Sequence, residues 1–231
     1  MFNKKNFIIL AIIISMIISV CTSMNVSAGI NLAIYASAAP TTDANGNVWV
    51  FYGTGDKTDP SALTGYERVY AIKDTNNGAS SYTPASLMDI SSTSAVYDPN
   101  STTYHGWYIT LGGGGEKMLA APVIYDQKVY FTTYTPSTVP CDQNGVAKLY
   151  VVNYLTGAGQ LTNGARSETI GVGIPSGVVI STNPDTGGYN AYVSTSAANF
   201  GTGSNTIVPS DPSKHSNKSQ YMIYWKDTRV Q

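Results

Sequence analysis

Ala121-Pro122-Val123-Ile124-Tyr125-Asp126-Gln127-Lys128-Val129-Tyr130-Phe131-Thr132-Thr133-Tyr134 is the stretch on which the fold turns. β-Branched and aromatic residues fill both arms, and Asp126-Gln127 interrupts them as a two-residue turn, so the segment reads as a hairpin. The same signals recur on either side. Val48-Trp49-Val50-Phe51-Tyr52 follows the turn sequence Asp43-Ala44-Asn45-Gly46-Asn47, and Val69-Tyr70-Ala71-Ile72 leads into Asp74-Thr75-Asn76-Asn77-Gly78. Trp107-Tyr108-Ile109-Thr110-Leu111 runs into four glycines, and Leu149-Tyr150-Val151-Val152-Asn153 ends in Leu155-Thr156-Gly157. Ser176 to Thr182 and Tyr189 to Thr195 form a further hairpin pattern around Asn183-Pro184-Asp185-Thr186-Gly187-Gly188, and Tyr221-Met222-Ile223-Tyr224-Trp225 is the last strand signal. Beyond residue 28, no stretch keeps a helical period for three turns.

The strands repeat as units. Ala-Pro, a turn and an aromatic strand occupy Ala39-Pro40 to Gly55 and again Ala121-Pro122 to Thr135, with a looser copy from Pro175 to Ser196. Each is followed by a strand with a closing turn: Arg68 to Gly78, Lys148 to Gly159, and Gln220 to Val230. A small sheet with two apolar faces cannot bury both alone, and stacking successive sheets around an axis does so. The expected fold class is therefore all-β: a partial, incomplete β-propeller of about three to four blades, preceded by an N-terminal signal helix. A two-sheet sandwich is the rival, since it uses similar strands. Complete propellers have about 4–8 blades, so the expected ring is short. That expectation leaves three arrangements: the tail of a larger propeller, a pairing with another chain that completes the ring, or a truncated or split gene.

Composition agrees with a β-rich globular chain. The 231 residues are 42% hydrophobic and only 12% charged, with 22 Gly, 11 Pro and 17 Tyr suited to short strands and tight turns. The formal net charge is -1, and no basic stripe is visible, which argues against nucleic acid as a partner. Lys4 and Lys5 precede an apolar run from Phe7 to Val20, broken only by Ser15 and Ser19, and Val26-Ser27-Ala28 follows. This is the layout of a secretory signal over residues 1–28, with cleavage between Ala28 and Gly29, leaving 29–231 as the mature domain. The expected location is accordingly outside the cytoplasm, with an uncleaved helix anchoring the chain in a membrane as the alternative. Ile18-Ser19-Val20-Cys21 fits a lipoprotein box poorly because of Val20. Loss of the signal would leave Cys141 without a partner cysteine, and a buried thiol is its simplest reading.

Four ordered segments resemble the C-terminal propeller of the type IV pilus biogenesis and tip-associated adhesin family, the PilC/PilY type. They are Ala39-Pro40 with Asn47-Val48-Trp49-Val50-Phe51-Tyr52-Gly53-Thr54-Gly55; Arg68-Val69-Tyr70-Ala71-Ile72-Lys73-Asp74; Gly106-Trp107-Tyr108-Ile109 with Gly114 and Glu116-Lys117; and Ala121-Pro122-Val123 through Phe131-Thr132-Thr133-Tyr134 and Pro140-Cys141 to Leu149-Tyr150. Tyr224-Trp225-Lys226-Asp227 also fits. The resemblance implies a non-enzymatic component of pilus biogenesis or pilus-tip adhesion, placed in the periplasm, at the outer surface or at the pilus tip. Implied partners are pilus subunits or assembly proteins and a host or surface receptor. The calcium loop of that family, an Asp-x-Asp/Asn-x-Asp run, has no full match here, so no cofactor is expected. Family members are longer and carry a region ahead of the propeller.

Residue chemistry adds little that is catalytic. Asp43-Ala44-Asn45-Gly46-Asn47 opens like a calcium loop, but its sixth and twelfth positions are Val48 and Thr54, so it reads as a hairpin turn. Gly112-Gly113-Gly114-Gly115-Glu116-Lys117 lacks the Gly-Lys-Ser/Thr of a phosphate loop. It reads as a flexible turn between blades, with Glu116 and Lys117 as a candidate partner-contact pair. His105 and His215 are far apart without zinc-ligand spacing, and no nucleophile elbow appears. A quinoprotein-dehydrogenase-like propeller enzyme is the alternative function, although no quinone site, calcium site or acidic base can be placed. A fragment without independent function is the third reading.

Overall fold

The computed structural model describes residues 33–74, 82–139, 144–182, 188–196 and 206–209. The expected signal and its Ala28-Gly29 cleavage point, Cys141, His215 and the 221–225 strand lie outside them. The described chain is mostly β, arranged as three sheets.

The first sheet contains β1 (Ala39–Thr42), β2 (Val48–Gly53), β3 (Arg68–Asp74), β4 (Met88–Asp89) and β5 (Gly106–Thr110), in the order β1-β2-β3-β5-β4. All its pairings are antiparallel except that of β4 with β5, where Met88 lies opposite Trp107. The second contains β6 (Val123–Tyr125), β7 (Lys128–Thr135), β8 (Val146–Asn153) and β9 (Ser167–Val172), a four-strand antiparallel meander. The third contains β10 (Val179–Thr182), β11 (Tyr189–Val193) and β12 (Thr206–Pro209), again antiparallel. The hairpins read from sequence form at β1–β2, β6–β7 and β10–β11. Strands β4, β9 and β12 carry no matching signal in the sequence reading.

The sheets share two cores, with the second sheet between them. On its first face, Val129, Phe131, Tyr150 and Val152 meet Trp49, Phe51, Val69, Ala71, Trp107 and Ile109 of the first sheet. On the opposite face, Tyr130, Ala147, Leu149 and Val151 meet Val178, Tyr189, Ala191 and Val193. The two-residue period of a strand assigns these faces: neighbours 129, 130 and 131 alternate between cores. Burial on both sides explains why β7 reads as an almost unbroken run of buried residues, whereas β2 alternates. Aromatic contacts tighten the first core. Phe131 stacks on Tyr150 with ring centroids 4.7 Å apart, and Phe51 lies 6.1 Å from Trp107.

Candidate functional site

Two polar constellations flank the second sheet. The first is built by the glycine run. Gly114 and Gly115 both have left-handed backbone (φ +77° and +76°), and a Cβ on Gly115 would stand 2.2 Å from the Ala62 carbonyl oxygen. The run is thus a fitted turn that presses the 112–118 segment against the β2–β3 connection. It turns Glu116 and Lys117 inward, where they are 1% and 2% exposed. Both side chains of the candidate contact pair are thus engaged within the chain. Glu116 Oε1 accepts from Thr133 Oγ1 (2.6 Å) and Tyr150 Oη (3.0 Å), and Oε2 accepts from Lys148 Nζ (3.1 Å) and the Gly112 amide (2.9 Å). Thr133, Tyr150 and Lys148 lie on the first-core face of β7 and β8, so the carboxylate closes one end of that core. Burial, followed by the Glu116 charge and hydrogen bond, pushes the Tyr150 phenol well above its ordinary range.

Lys117 points the other way. Its ammonium donates to the carbonyl oxygens of Asp59 (3.2 Å), Pro60 (3.1 Å) and Ala62 (2.9 Å). Its backbone pairs with Tyr134 on β7 in both directions at 2.9 Å. Burial lowers the Lys117 pKa, and the charges of Asp59, Glu67 and Asp56 oppose that shift. The pair is a clasp between the two sheets, with each charge answered by the chain itself.

The second constellation is open to ligand. A cleft of about 540 Å³ lies between the end of β1 and the β6–β7 turn, lined by Thr41, Thr42, Ile124, Tyr125, Asp126, Gln127 and Tyr154. That volume falls within the roughly 300–1,000 Å³ of small-molecule sites. The turn is two residues long, and both have left-handed backbone: Asp126 at φ 48° and Gln127 at φ 59°. This geometry matches strand twist but normally calls for Asn-Gly or Asp-Gly. Asp126 is held from behind. Its carboxylate accepts from Lys128 Nζ (3.4 Å) and Tyr189 Oη (3.2 Å), while Lys128 also reaches the Tyr189 oxygen at 2.7 Å. Tyr130 Oη lies 2.9 Å from Tyr189 Oη. Burial opposes the charge on Lys128, but the Tyr189 hydrogen bond and the Asp126 charge outweigh it and raise its pKa. Burial and Tyr189 push the Tyr130 phenol far up. Lys128, Tyr130 and Tyr189 thus form a closed network on the second-core side that fixes Asp126 at the turn without themselves lining the cleft.

No protein-family model, curated protein or solved structure matches the chain.

The remaining sequence candidates resolve locally. The Asp43 carboxylate is filled by its own turn, accepting from the amides of Asn45 (2.9 Å) and Asn47 (3.0 Å), Asn47 Nδ2 (2.9 Å) and Trp49 Nε1 (3.1 Å). It works as the hairpin turn expected of it. His105 packs against Tyr82 with ring centroids 5.3 Å apart. Among the described residues, no group of three His, Cys, Asp or Glu is placed to hold a metal ion. The cleft was missed in sequence because its residues come from positions 41 to 154. The one local signal was a hairpin turn made without glycine.

Proposed function

We propose that the chain is a non-enzymatic, exported component of type IV pilus biogenesis or pilus-tip adhesion, with its three sheets serving as successive blades of a PilC/PilY-type propeller. One observation carries this reading. The segments that resemble the family fall in chain order on strands of the first two sheets: Val48 to Gly53 on β2, Arg68 to Asp74 on β3, Gly106 to Ile109 on β5, Phe131 to Tyr134 on β7 and Leu149-Tyr150 on β8. The two sheets that they build meet face to face through Trp49, Phe51, Trp107 and Phe131, as neighbouring blades would. In this reading the apolar strands form the scaffold, and the connecting loops meet pilus subunits, assembly proteins or a surface receptor.

Deleting the gene tests the reading. The expected result is loss of surface pili, loss of attachment, or both, restored by the intact gene. Unchanged pilus number and attachment would remove it.

A further inference from the structure

We propose that the cleft between β1 and the β6–β7 turn binds a neutral, hydroxyl-rich saccharide, held by the Tyr125 and Tyr154 rings and by the polar groups of Thr41, Thr42 and Gln127. Four features lead there. The cleft has room for a small ligand, at about 540 Å³. Its two tyrosines are half-buried and each is fixed edge-on to a buried ring: Tyr125 to Tyr189 at 4.6 Å, and Tyr154 to Trp49 at 6.4 Å. Fixed aromatic bodies give a ligand apolar contact at little entropic cost.

The third feature is unspent hydrogen-bonding capacity. The Thr41 and Thr42 hydroxyls and the Gln127 side-chain amide make no hydrogen bond to any described residue. Each of these groups both donates and accepts, as sugar hydroxyls do. The charges nearby point away from an ionic ligand. Lys128 is spent on Asp126 and Tyr189, so it leaves no cation for an anion, and Asp126 is already answered by that ammonium.

The fourth feature is the turn itself. Gly at position 127 would suit the left-handed backbone better, and the Gln127 side chain is exposed and makes no internal bond that would account for it. An unfavourable backbone kept for a side chain at the rim of a cleft is the pattern of a functional position. Asp126 differs, since its bonds to Lys128 and Tyr189 give it a structural task.

The inference stands apart from the pilus reading and is tested on the purified full chain. Lactose, cellobiose, maltose and N,N′-diacetylchitobiose are titrated, followed by ligand-observed NMR and intrinsic fluorescence, with sialyllactose as the anionic comparison. At least one neutral disaccharide should bind saturably. Gln127→Gly and Thr41→Val should each weaken it about tenfold, as removal of a ligand hydrogen bond does, and Tyr154→Ala should weaken it further. Val179→Ser, on the exposed side of the third sheet, should leave affinity unchanged. Gln127→Gly relieves backbone rather than straining it, so its loss of binding cannot be ascribed to misfolding. The proposal is overturned if no neutral disaccharide binds at concentrations up to roughly 10 mM, a very weak limit. Binding of sialyllactose alone, or full binding by Gln127→Gly, overturns it equally.

Discussion

Glu116 shows what a single buried charge does here. It is 1% exposed and accepts four hydrogen bonds, two from side chains on β7 and β8 other than its ion-pair partner Lys148. Glu116→Gln keeps the shape but places an amide among donors, so it should lower unfolding free energy by about 1–3 kcal/mol in urea titrations. Gly113→Ala, three residues earlier, should change little, because nothing lies within 4 Å of its added methyl. At Asp43 the sign of a pH effect can be worked out. Burial raises its pKa, but hydrogen bonds from Asn47, Trp49 and Asn45 outweigh that and leave it below the usual carboxylate value. A depressed folded-state pKa contributes stability above the unfolded value and loses it as pH falls through the folded one. Stability should therefore be level from neutral pH downward until about pH 4 and then fall. Asp43→Asn should flatten part of that acid limb in urea titrations repeated across pH.

At the scale of elements, the joints between sheets are made by turns more than by strands. The turn after β8 is the clearest case. Gly157 has left-handed backbone (φ +67°), and a Cβ there would stand 2.1 Å from Ile90 Cδ1 and 3.3 Å from the Trp107 ring. Trp107 Nε1 donates to Leu155 O at 3.1 Å in the same turn. Arg166, just ahead of β9, donates to the Gly157 carbonyl and to those of Ile90, Ser92 and Ala95, so one guanidinium ties the second sheet to the 90–95 segment of the first. Gly157→Ala combines an unfavourable backbone with overpacking and should cost about 2–5 kcal/mol, read as a lower urea midpoint with an unchanged slope. Gln127→Gly, in contrast, should raise stability by about 1 kcal/mol. Elements that announce themselves by composition are legible in the sequence. The alternating Val48–Tyr52 and the β-branched Lys128–Tyr134 were legible because their own side chains fill a core. β9 was not, since Ile170 is its one buried apolar side chain and its neighbours face solvent. β4 is two residues long and takes its identity from β5 alongside. Glu116 and Lys117 stand out in sequence as a candidate contact pair because a glycine run lets a partner backbone approach. Their burial depends on Thr133, Lys148, Tyr150 and the Asp59–Ala62 carbonyls, none of which is near in sequence.

The whole molecule depends on its middle sheet. Val129, Phe131, Tyr150 and Val152 serve the first core, and Tyr130, Ala147, Leu149 and Val151 serve the second, yet all eight sit on two adjacent strands. Neither core can empty without exposing a strand that the other requires. Thr132 Oγ1 adds a polar tie to Ser176 O at 2.8 Å on the second-core side, as Thr133 does to Glu116 on the first. The three sheets should therefore unfold as one cooperative unit. Leu149→Ala, which empties part of the second core alone, tests this. Leu149 is fully buried, and such a truncation typically costs about 2–5 kcal/mol. In a Trp225→Phe background the tryptophan signal comes from Trp49 and Trp107, both in the first core. Leu149→Ala should shift that signal and the far-ultraviolet circular dichroism by the same amount, and the two transitions should coincide. A first-core signal that stays put while the dichroism moves would mean that the sheets are held in sequence but not in common.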